Sequence, residues 1–254
     1  MCIRDSRYLH CDVVVVGGGI SGIIAAKTAA KNNFNTLLID DKNILGGTTL
    51  FQENECFKIN NSYSNEWLKK EIETLNSFNN LTIKTRTTLA AYHSYNYLLA
   101  RENLTDHLDL NEKKGKIRQR LWKIRAKKVI IATGAMERPL IFNNNDRPGI
   151  ILSSSIKKYI DYYGVKCGQK VSLFTNNDSA YETAISLTNS GVSVNSVVDI
   201  RDKTNSLIVK QAEKLGIKIH WKSSVVNTNG YKKINSIEIM KLSDDGSTVI
   251  GKKI

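Results

Sequence analysis

The sequence predicts an α/β protein that contains two units of parallel strands joined by crossover helices. One observation is the apolar, β-branched run at 11–16, which is typical of a strand covered on both faces of a sheet. Another is the strand–helix–strand order, which occurs near the start of the chain and again after residue 150. A length of 254 residues is sufficient for one large core or two smaller ones.

The first unit is expected to begin near His10, with residues 1–10 as a disordered or non-native arm. Residues 11–16 and 36–39 predict parallel strands, and the alanine-rich stretch 20–31 between them predicts a helix. Beyond them we expect a helix with Ser64 as its N-cap, three strands of an antiparallel meander and one more buried strand. Their ranges are 64–78, 82–88, 95–104, 117–124 and 128–132.

A second unit is expected to follow the Pro148-Gly149 turn, so that the domains span 11–150 and 151–254. We expect the second domain to be incomplete at its C-terminus, because the sequence stops within a hairpin pattern. Its expected elements are a helix capped by Ser153, followed by alternating strands and helices and a hairpin. Their ranges are 171–174, 179–189, 194–199, 205–215, 217–221, 234–241 and 247–250.

Composition argues against several classes of protein. The net charge is +13, but lysine is spread along the chain without interleaved aromatic residues, so we expect no nucleic-acid partner. No apolar run is long enough for a membrane span or a signal peptide, so we expect a cytoplasmic protein without membrane contact. The four cysteines and four histidines lack metal-ligand spacing, so we expect no metal. Cys11 and Cys167 are expected to be small apolar residues beside strands.

A glycine motif joins the first predicted strand to the first predicted helix. Gly17, Gly19 and Gly22 form the pattern G-x-G-x-x-G, and this position is the one that a dinucleotide-binding fingerprint requires. The first glycine permits a tight turn, the second leaves room for a pyrophosphate, and the third allows close packing of helix on strand. The backbone N–H groups around Ile20 and Ser21 are then expected to meet the phosphates.

Further candidate residues follow other strands of the same unit. Asp40 ends the second strand, where an acid accepts hydrogen bonds from ribose and favours NAD or FAD over NADP. Asp41 either shares the ribose or is solvated. The other candidates for approach to the cofactor lie in two glycine-containing segments, although each segment taken alone also fits an ordinary turn. They are Gly46, Gly47, Thr48, Thr133 and Gly134.

These motifs define the expected fold in full. It is a Rossmann-type FAD/NAD(P)-binding domain with an antiparallel β-meander, followed by a second, degenerate Rossmann-like βαβ domain. The second domain has Thr175-Asn176-Asn177-Asp178-Ser179 where a dinucleotide site needs glycines, so we expect it to have lost dinucleotide binding. Asp199 of that domain is accordingly expected to be structural. No nucleophile–base pair stands out, so the sequence indicates no catalytic residue.

The order of these motifs resembles the two-dinucleotide-domain flavoproteins over residues 11–254. Within that family, three stretches resemble the alpha subunits of heterotetrameric sarcosine oxidases: 92–97, 121–126 and 132–180. The third contains Glu137-Arg138-Pro139, the segment 144–149 and Thr175-Asn176-Asn177-Asp178. Related amine dehydrogenase subunits typically keep a glycine-rich second site, so the degenerate second loop favours the sarcosine oxidases.

This resemblance implies an enzyme that oxidatively demethylates sarcosine to glycine, forms hydrogen peroxide and transfers the one-carbon unit to tetrahydrofolate. It implies NAD in the first site, with Ser21, Asp40, Asp41 and Thr48 as contacts. FMN is expected between the alpha and beta subunits, and FAD on the beta subunit. The partners would be the beta and smaller subunits and an amine substrate. The chain by itself is expected to be inactive.

Two alternatives remain open from the sequence. The chain is also compatible with the FAD-binding subunit of another amine or amino-acid dehydrogenase, whose first site would hold FAD instead of NAD. It is also compatible with a non-catalytic scaffold subunit, in which the nucleotide only stabilises the fold.

Overall fold

The computed structural model describes residues 5–51 and 58–253. The chain divides after Ala135 into two compact units. None of the helices in the described ranges has both the length and the apolar character needed to cross a membrane.

The first unit is built around one mixed sheet. Its elements are β1 (Asp5–Val16), α1 (Ile20–Lys31), β2 (Thr36–Ile39), β3 (Lys58–Ile59), β4 (Ser62–Tyr63), α2 (Ser64–Asn76), β5 (Leu81–Lys84), β6 (Thr87–His93), β7 (Tyr97–Asn103), α3 (Leu110–Lys113) and β8 (Gln119–Ile131). The sheet has the order β5-β2-β1-β8-β7-β6. Strands β5, β2, β1 and β8 run parallel, whereas β8, β7 and β6 form an antiparallel meander.

Strand β1 is buried on both faces of this sheet, as its continuous apolar run predicts. Val13 and Val15 pack on the face covered by α1 and α2, where Ile23 and Leu68 belong to the same cluster. The alternate residues of β1 pack with the meander on the opposite face, because successive side chains of a strand point in opposite directions. The sheet therefore separates two apolar layers, and β1 contributes to both.

The expectation of a disordered arm is wrong for residues 5–10. Those residues form the first half of β1, and Asp5 to His10 pair in register with Arg120 to Arg125 of β8. Asp5 also accepts a hydrogen bond from the Arg120 guanidinium. The side chains in this half are mostly polar, so the sequence pattern does not predict a strand there. The strand forms because it pairs with β8, more than a hundred residues away in the sequence. Residues 1–4 lie outside the described residues.

The meander differs from its predicted outline in two places. The predicted strand 82–88 is divided at Arg86, whose φ of 50° interrupts an extended conformation. Its first part, β5, joins the parallel sheet beside β2, and its second part begins β6. The predicted strands 117–124 and 128–132 are instead the single strand β8. One long strand thus serves both the meander and the parallel sheet.

The second unit repeats the strand–helix order and adds an antiparallel sheet. Its elements are α4 (Ser153–Asp161), β9 (Lys170–Thr175), α5 (Ser179–Asn189), β10 (Ser193–Asp199), α6 (Leu207–Lys214), β11 (Ile219–His220), β12 (Ser223–Gly230), β13 (Ile234–Leu242) and β14 (Val249–Ile250). Strands β11, β10 and β9 form a parallel sheet. Strands β12, β13 and β14 form an antiparallel sheet. The polar strand β12 was not predicted from the sequence.

The boundary between the units lies after Ala135, so the expected boundary at residue 150 is corrected. Residues 136–150 belong to the second unit because they bond to its antiparallel sheet. The Nδ2 of Asn144 donates to Oδ1 of Asn227 over 2.8 Å, and the N–H of Ile234 donates to the Pro148 carbonyl over 2.9 Å. Hydrogen bonds between residues this far apart in the sequence cannot be predicted from the Pro148-Gly149 turn, on which the expected boundary is based.

The two described cysteines occupy different environments. Cys11 is buried in β1, and burial, together with the neighbouring Asp12 carboxylate, raises the pKa of its thiol to about 11. This agrees with its predicted role as a small apolar residue. Cys167 is exposed, so the same prediction is wrong for that residue. Cys2 and Cys56 lie outside the described residues.

Removal of residues 1–10 is expected to destabilise the first unit. The change eliminates the pairing of Asp5 to His10 with β8, and each backbone hydrogen bond contributes about 0.5–1.5 kcal/mol net. Urea denaturation should show a lower free energy of unfolding. A variant lacking only residues 1–4 keeps every pairing named here and is the matched control. Equal stability of the two variants would contradict a structural role for this half of β1.

Candidate functional site

The sequence-predicted site residues of the first unit meet at one edge of its parallel sheet. Strands β1, β2 and β8 all end there, and they are followed by the loop 17–19, by Asp40 and by Thr133. The chain crosses from β1 to β2, its neighbour on one side in the sheet, and β8 is the neighbour of β1 on the other side. Ligands of open α/β sheets bind at such a switch point, outside the carboxyl ends of the strands.

Two glycines of the motif are required by contacts between backbone segments. Gly17 has a φ of 106°, and a Cβ at this position would overlap the Ala132 carbonyl oxygen. A Cβ at Gly22 would overlap the carbonyl oxygen of Gly17. Since none of these backbone atoms is able to retreat without moving β1, α1 or β8, the two glycines allow the three elements to pack together. Both glycines are therefore needed for the packing of the fold, in addition to their place in the fingerprint.

Gly19 has a different environment. The nearest atom to a Cβ built on it is the Gly47 Cα, at 4.0 Å. The space beside Gly19 is thus open at the point where the fingerprint requires room for a pyrophosphate. Gly19 is the N-cap of α1 and provides no side-chain cap. Ile20 and Ser21 lie in the first turn of α1, where a helix leaves its N–H groups without carbonyl partners.

Asp40 connects the glycine loop to the end of β2. Its side chain is largely buried, with the whole residue 8% exposed. One carboxylate oxygen accepts the Gly18 N–H, and the other accepts the Lys42 N–H over 2.7 Å. A carboxylate oxygen has two lone pairs, so each oxygen retains acceptor capacity for a ribose hydroxyl. The carboxylate is held in place by the backbone before any ligand binds.

Asp41 is placed differently although it is the next residue. Its side chain is exposed, and its carboxylate forms an ion pair with Lys42 at 2.7 Å. An exposed pair of this kind contributes little to stability. Asp41 is therefore exposed at the edge of the site, and both interpretations of this residue stay predictions.

Gly18 is a site residue that the sequence reasoning missed. A Cβ on Gly18 would overlap the side chain of Leu45 and would lie 2.9 Å from Oδ2 of Asp40. Its N–H is also the donor that holds Asp40. The signal was present in the sequence as the middle glycine of three consecutive glycines, a position that the fingerprint treats as variable.

The second glycine step lies directly beside the first. The N–H of Gly46 donates to the Gly18 carbonyl over 2.8 Å, and a Cβ on Gly47 would approach the Gly19 Cα to 3.0 Å. Gly47 itself has a φ of 57°. Thr48 is exposed next to it, whereas Thr49 is buried. The structure therefore brings Gly46, Gly47 and Thr48 to the glycine loop, and their approach to a cofactor stays a prediction.

The segment after β8 completes the edge on the other side of β1. The N–H of Ala132 donates to the Val16 carbonyl over 2.7 Å, which extends the pairing of β8 with β1 to its last residue. The Cα of Thr133 lies 3.1 Å from the position of a Cβ on Gly17. Thr133 and Gly134 are exposed, and no atom lies within 4 Å of a Cβ on Gly134.

The corresponding edge of the second unit is occupied by its own side chains. Asp199 is fully buried and accepts hydrogen bonds from the Tyr181 hydroxyl and from the Arg201 guanidinium, both over 2.8 Å. The hydrogen bonds to Asp199 raise the pKa of Arg201. At the start of α5, the Asn177 side chain accepts the Ser179 N–H over 3.0 Å. These contacts support the interpretation that Asp199 is structural.

Comparison with known proteins agrees with this geometry. A family model described as pyridine nucleotide-disulphide oxidoreductase matches residues 11–252. The chain is 38% identical over 224 residues to the sarcosine oxidase subunit alpha of Corynebacterium sp. (strain U-96), covering 88% of this chain and 23% of that protein. It is 35% identical over 243 residues to the same subunit of strain P-1, covering 95% and 25%. The resemblance to sarcosine oxidase alpha subunits is therefore confirmed.

The chain spans about a quarter of the length of these curated relatives. Among solved structures, the thioredoxin reductase of Lactococcus lactis superimposes on 96% of this chain and 74% of its own, with a TM-score of 0.65. At 23% identity this likeness concerns the fold alone. The Rossmann-type α/β fold expected from the sequence is thus confirmed.

A pair of alanine substitutions should separate the two kinds of glycine. Gly22→Ala is expected to lower the free energy of unfolding by about 1–3 kcal/mol or more, because the new Cβ overlaps a backbone carbonyl. Gly19→Ala should leave the stability nearly unchanged but weaken dinucleotide binding by about tenfold or more, since its Cβ enters the open space. Thermal unfolding and equilibrium binding measure the two effects. Full binding by Gly19→Ala would show that the loop is only a turn.

Proposed function

Because the chain belongs to the pyridine nucleotide-disulphide oxidoreductase family, we propose that its first unit binds the adenosine diphosphate part of a dinucleotide at the edge described above. The observation that carries this proposal is the combination of an open Gly19 with a preorganised Asp40 carboxylate. The role of the chain is that of an oxidoreductase component. Its residues provide binding and orientation, and the bound dinucleotide supplies the redox chemistry.

The residues divide the proposed ligand between them. The amides of Ile20 and Ser21, at the positive end of the α1 dipole, would receive the pyrophosphate, and the open backbone at Gly19 would admit it. Asp40 would accept the ribose hydroxyls. The exposed Thr48 and Thr133 lie on either side of the glycine loop and would provide hydroxyl donors there. Asp41, Gly46, Gly47 and Gly134 would line the same edge.

We further propose that this dinucleotide is NAD and that the chain is part of a sarcosine oxidase alpha subunit. The support is the similarity to two such subunits over most of this chain. In this proposal the complete enzyme oxidatively demethylates sarcosine, with FMN and FAD held elsewhere in the complex and transfer of the one-carbon unit to tetrahydrofolate. The beta and smaller subunits would be the partners, and this chain would not oxidise sarcosine by itself.

A scaffold role for the nucleotide is a second candidate function. The second unit has its acid Asp199 engaged by Arg201 and Tyr181, so this edge offers no carboxylate for a second dinucleotide. A nucleotide at the first edge would then have no second dinucleotide at the edge of the second unit with which to exchange electrons, as expected for a structural ligand. During turnover of the complete enzyme, a change in nicotinamide absorbance would contradict the scaffold role, and its absence would contradict a redox role for NAD.

Identification of the bound nucleotide tests the proposed function. The protein should be purified with the subunits that accompany it and denatured, and the released nucleotides should be identified by mass spectrometry. NAD together with FMN and FAD is the expected result. FAD alone, in a one-to-one ratio with this chain, would overturn the NAD assignment and favour the subunit of another amine or amino-acid dehydrogenase.

Neutralising the two acids in turn tests the ribose assignment. Asp40→Asn is expected to weaken NAD binding by on the order of tenfold, because charge-assisted hydrogen bonds are replaced by neutral ones. Asp41→Asn removes an equal charge from the adjacent exposed position and is the matched control. Calorimetric titration should show the larger loss for Asp40→Asn. Equal losses would mean that Asp41 also contacts the ribose, and no loss in either variant would refute the assignment.

A further inference from the structure

One cavity of the first unit is polar and positively charged. It has a volume of about 370 Å³ and lies beyond the end of β2, between the turn that follows Asp40 and the strands β6 and β7. We call it the basic pocket. Its lining residues are Asp41, Lys42, Asn43, Arg86, Thr88, Arg101 and Asn103.

The backbone holds the walls of the basic pocket together. The N–H of Arg86 donates to the Lys42 carbonyl over 2.7 Å, and the N–H of Asn103 donates to the Arg86 carbonyl over 2.9 Å. Thr88 and Arg101 are cross-strand partners in β6 and β7. The left-handed conformation of Arg86, with a φ of 50°, turns the chain from β5 into β6 at this point. The pocket is therefore a feature of the fold and not of loose surface side chains.

The charges of the basic pocket are not balanced within the described part of the chain. Its lining has three cationic side chains and one carboxylate, and that carboxylate, Asp41, is paired with Lys42. Among residues 5–51 and 58–253, no carboxylate lies within salt-bridge distance of Arg86 or Arg101. Two other arginines of the first unit have carboxylate partners: Arg120 is paired with Asp5, and Arg118 with Asp106.

Collecting like charges without a counterion is unfavourable, and Arg86 is moreover half-buried. An anionic ligand would remove this cost. Two guanidinium groups provide planar, multiple donors of the kind that phosphate accepts in pairs, and Thr88, Asn43 and Asn103 add neutral polar groups around them. The donor set thus fits a compact dianion with several oxygens better than it fits a single carboxylate.

We propose that the basic pocket binds a phosphate dianion. Two sources of this chemistry are compatible with its position. One is a 2′-phosphate on the ribose at Asp40, because Asp41 and Lys42 follow Asp40 directly and the Lys42 N–H bonds to the Asp40 carboxylate. The other is a free phosphate ion. The first source rests on the proposed dinucleotide site and requires the cations of the pocket to outweigh the repulsion between the 2′-phosphate and the Asp40 carboxylate, which by itself favours NAD. The second source does not depend on the proposed function.

Calorimetric titration of the purified protein in chloride buffer tests the proposal. The titrants are adenosine, adenosine 2′-monophosphate, inorganic phosphate and NAD. The double substitution Arg86→Gln with Arg101→Gln removes the two unpaired charges from the pocket. Arg125→Gln makes the same exchange on β8, outside the pocket, where the guanidinium lies over the Tyr97 ring, and is the matched control. Thermal unfolding verifies that all variants are folded.

The unsubstituted protein and Arg125→Gln are expected to bind the titrants that carry a phosphate dianion with similar affinity. The affinity of the double variant for them should be lower by on the order of tenfold or more. A 2′-monophosphate that binds at least about tenfold more tightly than adenosine indicates the dinucleotide source. Inorganic phosphate that binds equally well with and without saturating NAD indicates the free ion. Absence of any phosphate-dependent binding, or equal binding by the double variant, overturns the proposal. If the unsubstituted protein binds phosphate but does not bind NAD, only the proposed function is contradicted.

Discussion

The arrangement of the first unit depends on one close approach between backbone segments at the end of β1. Gly22 of α1 lies against the carbonyl of Gly17, and Gly17 lies against the carbonyl of Ala132 that follows β8. This approach brings the start of α1 and the ends of β1 and β8 into one small region. The open position at Gly19 and the donor at Gly18 exist because the neighbouring glycines permit the contact.

The two units show how one topology produces two different sheet edges. In the first unit the N-cap of α1 is a glycine without a side-chain cap, and the acid that ends β2 keeps lone pairs available. In the second unit a side chain accepts a hydrogen bond from the start of α5, and the buried Asp199, paired with the half-buried Arg201, occupies the equivalent position. The scaffold is shared, but the side chains decide which edge has room and charge for a dinucleotide.

The sequence alone predicted the local elements well where the pattern is periodic. Helices α1 and α5 and strand β2 have the bounds expected for them, because short runs of helix-forming or apolar residues between clear breaks define them locally. Strand β12 was missed because its residues are mostly polar and its pairing with β13 is what makes it a strand. The first half of β1 was missed for the same reason. The basic pocket, too, brings together Arg86 and Arg101, which no sequence motif connects.

By itself the sequence determined the α/β fold class and the glycine motif of the loop between β1 and α1. A missing Cβ, an apolar run and an acid at the end of a strand have local consequences that are readable without coordinates. The tertiary structure decided which residues share an edge, that Gly18 holds Asp40, that β8 is one strand, and that the units divide after Ala135. These features arise from hydrogen bonds and steric contacts between segments far apart in the chain, and such contacts leave no periodic trace in the sequence.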